Sequence, residues 1–153
     1  GKKSMPEFKA QVVLACPQVE VFEFLIRPAN VLMISPPETA LNYIDVPEVV
    51  ELGSKIEFEL GGFGPPQRIV HEITAFESPE MFEESQVSGP LGKWVHKHII
   101  EPHDEGAHLT DLIEFEPPGG IAGFLVTADR ILESLQTSFG HRHQEMKKML
   151  EQG

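Results

Sequence analysis

The distribution of proline constrains this chain more than any other sequence feature. All 13 prolines lie at or before Pro118, and the rest of the chain contains none. Apolar residues in that proline-free part recur on or near one helical stripe: Ile131, Leu135, Phe139, Met146 and Leu150. The pattern predicts one long amphipathic helix over residues 124–152, which needs an apolar surface to cover. Gly140 in its middle costs roughly 1 kcal/mol relative to alanine and is predicted to mark a bend or a close contact.

The preceding part of the chain is predicted to consist mainly of strands. Polar and apolar residues alternate over residues 55–60, as they do in a half-buried antiparallel strand. Strands are predicted over residues 8–15, 40–46, 55–60, 68–76, 81–88, 93–102 and 107–116. Short turns, such as the one over residues 61–66, separate most of them, so an antiparallel meander is the simplest arrangement.

Two short helices interrupt this pattern after the first strand. Pro17 and Pro28 suit the first turns of helices predicted over residues 17–26 and 28–34. The predicted fold is therefore α+β, with a curved antiparallel sheet of about 6–7 strands and the long C-terminal helix over its concave face. A twisted sheet of this length curls, and one helix cannot fill the concavity, so a pocket is expected between them.

The length of the chain predicts a single domain. Its 153 residues match the usual size of one domain, and no composition shift marks a boundary within residues 5–153. Residues 1–4, which precede Met5, are predicted to be a remnant of cloning because no apolar segment follows them.

The charge of the chain excludes several classes of partner. The chain has 24 acidic and 12 basic residues and a formal net charge of −12, which repels nucleic-acid phosphates and anionic membrane surfaces. No apolar run approaches the ~18 residues that cross a bilayer, so no membrane insertion is predicted. Cys16 is the single cysteine, which excludes an internal disulfide and favours a reducing, cytoplasmic location. Beside Pro17, this cysteine is predicted to be a small buried hydrophobe.

Several short motifs together resemble one known superfamily. In chain order they are Val21-Phe22-Glu23-Phe24, Pro28-x-Asn30, Ile34-Ser35-Pro36-Pro37, Phe82-x-x-x-Gln86-x-x-Gly89-Pro90, Trp94-x-His96-x-His98, Thr110-Asp111 and Phe139-x-x-Arg142. With this order and spacing, the chain resembles the START/Bet v 1-like helix-grip proteins, which include polyketide cyclase/dehydrase-like domains, and within them an uncharacterised ligand-binding branch. The resemblance implies an internal cavity that binds lipids, isoprenoids, polyketides or similar molecules.

Strand alternation predicts which side chains face that cavity. In residues 93–100, Lys93 and Lys97 share one face and belong in water, so Trp94, His96 and His98 are predicted to face inward. On the inward face of the following strand, Asp111 is the only charged residue. The hairpin over residues 103–106 is predicted to place His98 opposite Asp111.

The same alternation, applied to every strand, predicts the lining of the pocket. Its polar residues are predicted to be His71, Glu84, Gln86, His96, His98 and Asp111 from the sheet, with Arg142 from the long helix. Its apolar wall is predicted to be Trp94, Ile113, Phe115, Leu135 and Phe139, around a volume of a few hundred Å³.

This polar group is open to four interpretations. In the first, it is a hydrogen-bonded structural network, because buried polar groups must be paired. In the second, it recognises a ligand carbonyl, hydroxyl or carboxylate. In a third interpretation, His98 and Asp111, with Glu84, form the general base of a cyclase, dehydratase or isomerase. In the fourth, His96, His98 and a carboxylate hold a metal ion.

The functional prediction is binding or carriage of a small hydrophobic ligand. The alternatives are the enzyme and a protein-interaction module that acts without a ligand. His-x-His spacing lacks a second defined element, so neither a metal nor a cofactor is predicted. The oligomeric state is not predicted.

The remaining histidines are assigned to the surface. His103 and His108 flank a turn and are predicted to be solvated. His141 and His143 lie in the C-terminal half of the long helix, where partial positive charge suits the helix dipole.

Overall fold

The computed structural model describes residues 5–61 and 65–151. Three sequence-based predictions fall at least partly outside these residues: the cloning remnant at residues 1–4, the centre of the turn over residues 61–66, and the last predicted helical residue, Gln152.

Seven strands and four α-helices make up the described part of the chain. In order they are β1 (Glu7–Leu14), α1 (Gln18–Leu25), α2 (Pro28–Ile34), a 3-10 turn (Pro37–Thr39), β2 (Asn42–Asp45), β3 (Lys55–Leu60), β4 (Gln67–Glu77), β5 (Met81–Ser88), β6 (Lys93–His103), β7 (Gly106–Glu116), α3 (Ala122–Leu125) and α4 (Ala128–Leu150). The predicted architecture, a curved antiparallel sheet with two short helices after the first strand and a long C-terminal helix, is confirmed.

All seven strands belong to one antiparallel sheet. Its order is β1-β7-β6-β5-β4-β3-β2, so each strand from β2 to β7 pairs with its neighbour in sequence, and β1 joins the far edge beside β7. The β6–β7 hairpin turns at Gly106, whose φ of 140° favours glycine. A side chain there would collide with the carbonyl of Leu14 and the amide nitrogen of Cys16. The turn therefore packs directly against the end of β1.

The long helix begins later than predicted. Its first turn is capped by Thr127, whose hydroxyl accepts the backbone N–H of Arg130, so the helix starts at Ala128 and not at Phe124. Phe124 belongs to the separate short helix α3 and is 85% exposed.

The prediction of a close contact at Gly140 is also wrong: this glycine is exposed, and a methyl group placed on it meets no atom within 4 Å.

The hydrophobic core has two parts that differ in how they are filled. In one, Ile113 and Phe115 of β7 pack with Ile131 and Phe139 of α4, so the helix rests directly on the β1–β7 side of the sheet. The other part is larger: it extends from the ends of β1 and β7 across the remaining strands and includes Phe22 and Leu25 of α1, among other residues. There the sheet curves away from α4, and α1 and α2 close the end.

In the described residues, no helix is long and apolar enough to cross a membrane.

Candidate functional site

An internal cavity of about 170 Å³ lies where the sheet curves away from α4. Its apolar wall includes Leu25, Val31, Leu41, Val50, Ile56, Phe58, Phe82, Trp94, Leu135 and Phe139. Trp94, Leu135 and Phe139 were predicted there. Ile113 and Phe115, also predicted, do not line it, because α4 covers them in the filled part of the core. That filling also explains why the cavity is smaller than the few hundred Å³ predicted.

The sheet contributes a polar patch to this cavity, made of His71, Glu84, His96 and His98. The three histidines are buried, whereas Lys93 and Lys97 are exposed on the opposite face of β6. Period-two alternation in β6 is therefore confirmed.

Asp111 lies on the side of the patch that faces away from the cavity and contacts two of its histidines. One of its oxygens, Oδ1, accepts a hydrogen bond from Nε2 of His96 at 2.8 Å and lies 3.3 Å from Nδ1 of His98. Its other oxygen, Oδ2, accepts from Nε2 of His143 at 2.7 Å. His98 lies opposite Asp111 in the β6–β7 pairing, as the hairpin predicted. Asp111 itself is 3% exposed and does not line the cavity.

His143 is a member of this group that sequence reasoning missed. It was assigned to the helix dipole, but it is buried and bonded to Asp111. The signal was present in the sequence. Residue 143 lies four positions after Phe139 and three before Met146, and this spacing places it on the buried stripe of α4.

Glu84 on β5 holds the other side of the patch. Its Oε2 accepts from Nδ1 of His71 at 3.0 Å, and its Oε1 accepts from Nε2 of His98 at 2.9 Å. Oε1 also lies 3.6 Å from Nδ1 of His96. His98 is thus fixed between two carboxylates, while its ring stacks on Phe82, with 4.0 Å between ring centroids.

Burial and pairing shift the pKa values of this group in opposite directions. Burial, reinforced by the charge of His98, lowers the pKa of His96 to about 4. Burial alone would also lower the pKa of His98, but the adjacent carboxylates of Asp111 and Glu84 outweigh this effect and raise it. Burial would raise the pKa of both carboxyls, yet hydrogen bonds from the histidines hold the pKa of Asp111 and of Glu84 well below the usual value. Both carboxylates are therefore ionised at neutral pH.

Two further residues, on β2 and α4, add polar groups to the lining. The guanidinium of Arg142 lies 4.6 Å from the ring centroid of Phe139 and borders the cavity. In the part of the chain that the structure describes, Arg142 forms no salt bridge. Tyr43 of β2 also lines the cavity. It is the second residue that sequence reasoning missed. Burial and the charge of Glu84 raise the pKa of this tyrosine. The inward alternation of Leu41 and Tyr43 could have identified it.

Gln86 does not take the position predicted for it. Its amide donates to the carbonyl of Leu91 at 2.8 Å, so it supports the turn between β5 and β6 instead of lining the cavity. The register between β4 and β5 shifts between Val70 and His71, close to where Gln86 pairs. Simple alternation fails at such a shift.

Two buried nitrogens on the cavity wall have no hydrogen-bond partner among the described residues. They are Nε1 of Trp94 and Nδ1 of His98. The indole nitrogen is a donor only, and the Trp94 side chain lines the cavity.

The cavity adjoins a polar groove on the surface. Thr39 and Ser138 line both the cavity and the groove, which lies between α4 and the 3-10 turn and also contains Glu38, Arg130 and Glu133.

Comparison with known families gives one match. The model of a family described as "Domain of unknown function (DUF8410)" matches residues 21–150. Comparison with curated proteins finds no match.

Solved structures share this fold at low sequence identity. Protein CV1439 from Chromobacterium violaceum has a TM-score of 0.73 and 14% identity, with 97% of this chain and 99% of that chain covered. Ginseng major latex-like protein 151 from Panax ginseng has a TM-score of 0.69 and 14% identity, with 97% and 99% covered. Ara h 8.0201 has a TM-score of 0.66 and 15% identity, with 96% and 98% covered. The latter two are Bet v 1-like proteins, and the likeness identifies the fold as the Bet v 1-like helix grip.

Proposed function

Because this chain belongs to the DUF8410 family and has the Bet v 1-like helix-grip fold, we propose that it binds one small, largely apolar molecule in its internal cavity. The observation that carries the proposal is the cavity itself: an apolar space with a polar patch on the sheet and Arg142 on the helix. Such a combination is the usual design of a small-molecule site, since apolar contact supplies affinity and a few polar groups fix orientation.

The volume of the cavity limits the size of the ligand. A cavity of about 150 Å³ holds a molecule the size of benzene. The 170 Å³ present here therefore suits a compact ligand with about six to ten non-hydrogen atoms. Among the predicted ligand classes, this size favours a small aromatic or branched molecule over a long lipid or isoprenoid chain.

The polar lining favours a ligand that carries an oxygen acceptor. Nε1 of Trp94 is a buried donor without a partner, and Arg142 borders the same space. A carboxylate or carbonyl oxygen would satisfy the indole N–H and accept from the guanidinium. We therefore propose a small aromatic or branched carboxylic acid as the ligand class.

The geometry supports binding better than general-base catalysis. Both nitrogens of His98 face carboxylate oxygens, 2.9 Å away at Glu84 and 3.3 Å away at Asp111. Neither nitrogen is directed to open space where a substrate proton would lie, as a general base requires. An interaction module needs no buried charged group, so the burial of Asp111 also favours a ligand.

Residues 5–153 are proposed to act as one ligand-binding domain, since a single sheet runs from β1 to β7. A cytoplasmic location is proposed as well. It is supported by the one cysteine, Cys16, whose thiol is buried and whose pKa is raised mainly by that burial. Such a thiol is protected from oxidation and needs no disulfide partner.

Ligand binding can be tested on the full chain with a matched pair of tryptophan variants. Native mass spectrometry and solvent extraction first identify any molecule that co-purifies, and titration calorimetry then measures the affinity for benzoate and related small aromatic acids. Leu135→Trp fills the cavity, whereas Gln136→Trp adds the same side chain to the exposed face of α4.

We expect Leu135→Trp to abolish binding and Gln136→Trp to leave it unchanged. Equal affinity in Leu135→Trp and the parent chain would place the ligand outside this cavity and overturn the proposal. So would failure of every small acid to bind together with the absence of any co-purified molecule.

A further inference from the structure

Three potential metal-ligand atoms converge on the wall of the cavity. Glu84, His96 and His98 each offer one, and these atoms all lie within 4.8 Å of one another. Oε1 of Glu84 is 2.9 Å from Nε2 of His98 and 3.6 Å from Nδ1 of His96. All three residues line the cavity.

Asp111 determines which nitrogens are free to act as ligands. Nε2 of His96 donates its proton to Oδ1 of Asp111, so Nδ1 of the same ring carries a lone pair toward Glu84. Nδ1 of His98 lies 3.3 Å from the same oxygen of Asp111. When Nδ1 carries the ring proton, that oxygen is the nearby acceptor. Nε2 of His98 donates to Oε1 of Glu84 in this structure and would lose this proton on binding an ion. Two nitrogens and one oxygen are then available as ligands.

The charges of the cluster favour a cation in that space. Asp111 and Glu84 are both buried by the surrounding side chains, with 4% and 18% of their side chains exposed. Buried carboxylates need compensating positive charge. A divalent ion bound by imidazole nitrogens would supply that positive charge.

We propose that Glu84, His96 and His98 form a binding site for one divalent transition-metal ion on the wall of the cavity. Zinc bonds of about 2.0–2.2 Å imply donor separations of about 3.3–3.5 Å in a tetrahedral site. The two separations of 2.9 and 3.6 Å from Oε1 of Glu84 bracket this range. The rings of His96 and His98 stack with 3.8 Å between their centroids, so they must move apart to bring both nitrogens onto one ion.

The surroundings of these three ligands match those of metal sites. Metal-binding histidines usually donate their second ring N–H to a carboxylate, which fixes the tautomer and the orientation of the ring. Asp111 performs this role for His96 and lies in position to do so for His98. Glu84 is held in turn through its other oxygen by His71 at 3.0 Å.

The ligand set also specifies the class of metal. Two imidazole nitrogens and one carboxylate suit zinc, cobalt or ferrous iron, whereas magnesium and calcium prefer all-oxygen sites. Three protein ligands leave at least one coordination position, and the site borders the cavity, so an oxygen of a cavity ligand can bind there. Metal binding by these residues does not depend on the organic ligand proposed above.

The test is direct metal binding to the full chain after treatment with a chelator. We expect titration with Zn²⁺, or with Co²⁺ followed by its visible absorption, to give one equivalent per chain. Glu84→Gln conserves size and removes the charged ligand, and we expect it to lower the affinity by more than about 100-fold. Asp111→Asn removes only the support of the histidines and should lower the affinity by about 10- to 100-fold.

The control removes histidines outside the cluster. His103→Ala combined with His108→Ala alters the exposed β6–β7 turn and should leave both the stoichiometry and the affinity unchanged. Thermal unfolding with excess Zn²⁺ provides a second readout, because an ion that binds only the folded chain raises the Tm of the parent and not that of Glu84→Gln.

Either of two results would overturn the metal site: no Zn²⁺ or Co²⁺ binding by the parent chain, or binding that survives Glu84→Gln and is lost in the His103/His108 variant. Binding of benzoate to the metal-stripped chain is measured separately. That measurement distinguishes failure of the metal site from failure of the cavity proposal.

Discussion

Asp111 is the residue around which the buried cluster is organised. Its two oxygens contact three histidines, one of them from α4, so it links the sheet to the helix through side chains. A buried carboxylate with several donors is stable only while those donors remain in place. The stability of the chain should therefore be sensitive to substitutions that remove a single donor.

His143 provides the clearest test of that sensitivity. His143→Ala removes a 2.7 Å hydrogen bond to Asp111 and leaves Oδ2 without that donor. We expect the free energy of unfolding to fall by about 1–3 kcal/mol, the usual cost of an unsatisfied buried group. His141→Ala, two positions away and outside the cluster, should change it by less than about 0.5 kcal/mol. Urea denaturation of both variants measures the difference, and equal effects would contradict the role assigned to His143.

Arg142 should determine selectivity for charge in the cavity. Arg142→Met keeps an unbranched side chain against Phe139 but removes the guanidinium. We expect the affinity for benzoate to fall about tenfold or more, because a charge-assisted hydrogen bond contributes about 1.5–3 kcal/mol. The affinity for benzamide, a neutral molecule of similar shape, should change much less. Calorimetric titration with both probes makes the comparison, and parallel losses would show that the residue acts through packing alone.

Much of the cluster could be predicted from the sequence because strands alternate strictly. Lys93 and Lys97 identify the wet face of β6, and the inward positions of His96 and His98 follow. Gln86 was misplaced because its strand pairs near a register shift, where alternation is interrupted. His143 was missed for a different reason. A histidine near a helix C-terminus has a sufficient electrostatic explanation on the surface, and the helix dipole does not distinguish a buried from an exposed position.

At the scale of elements, the beginning of α4 was the hardest boundary to predict. Periodicity shows that a helix exists but not where its first N–H groups find acceptors. Here the hydroxyl of Thr127 supplies one, and the apolar residues before it form a separate short helix. Strand boundaries were predicted better, because proline and glycine mark both ends. The predicted ranges 55–60 and 81–88 agree with β3 and β5.

Gly140 offers a way to strengthen α4. It is a helical glycine, and a methyl group there meets no atom within 4 Å, so alanine fits without strain. We expect Gly140→Ala to raise the free energy of unfolding by about 0.5–1 kcal/mol, since alanine has the higher helix propensity. Thermal and urea unfolding measure the gain.

Gly106 is the matched contrast. Gly106→Ala places a methyl group against the backbone of Leu14 and Cys16 at a φ of 140°, so it should destabilise the chain. If Gly140→Ala is destabilising to a similar degree, α4 must make a contact at this position that the structure does not contain.

At the scale of the whole molecule, one sheet is covered in two different ways. Over β1 and β7 the long helix packs directly, and Ile113 and Phe115 are fully buried beneath it. Over β3 to β6 the same sheet curves away from the helix, and the cavity remains. The filled side positions Asp111 and His143, while the open side receives the patch that they support. The sheet thus has a filled half, which holds Asp111, and an open half, which borders the cavity.

The two halves should respond differently to the same substitution. Ile113 lies in the filled half and is 0% exposed, whereas Ile56 lies on the cavity wall and is 8% exposed. Because both are isoleucines, Ile→Ala removes the same atoms at each position. Truncation at Ile113 creates a new void and should cost about 4 kcal/mol. Truncation at Ile56 should cost about 2 kcal/mol, because one side of this residue already borders open space and has fewer contacts to lose. Urea denaturation gives both values, and Ile56→Ala should also enlarge the cavity and improve binding of acids bulkier than benzoate. Equal costs at the two positions would mean that the cavity is filled by side chains in solution.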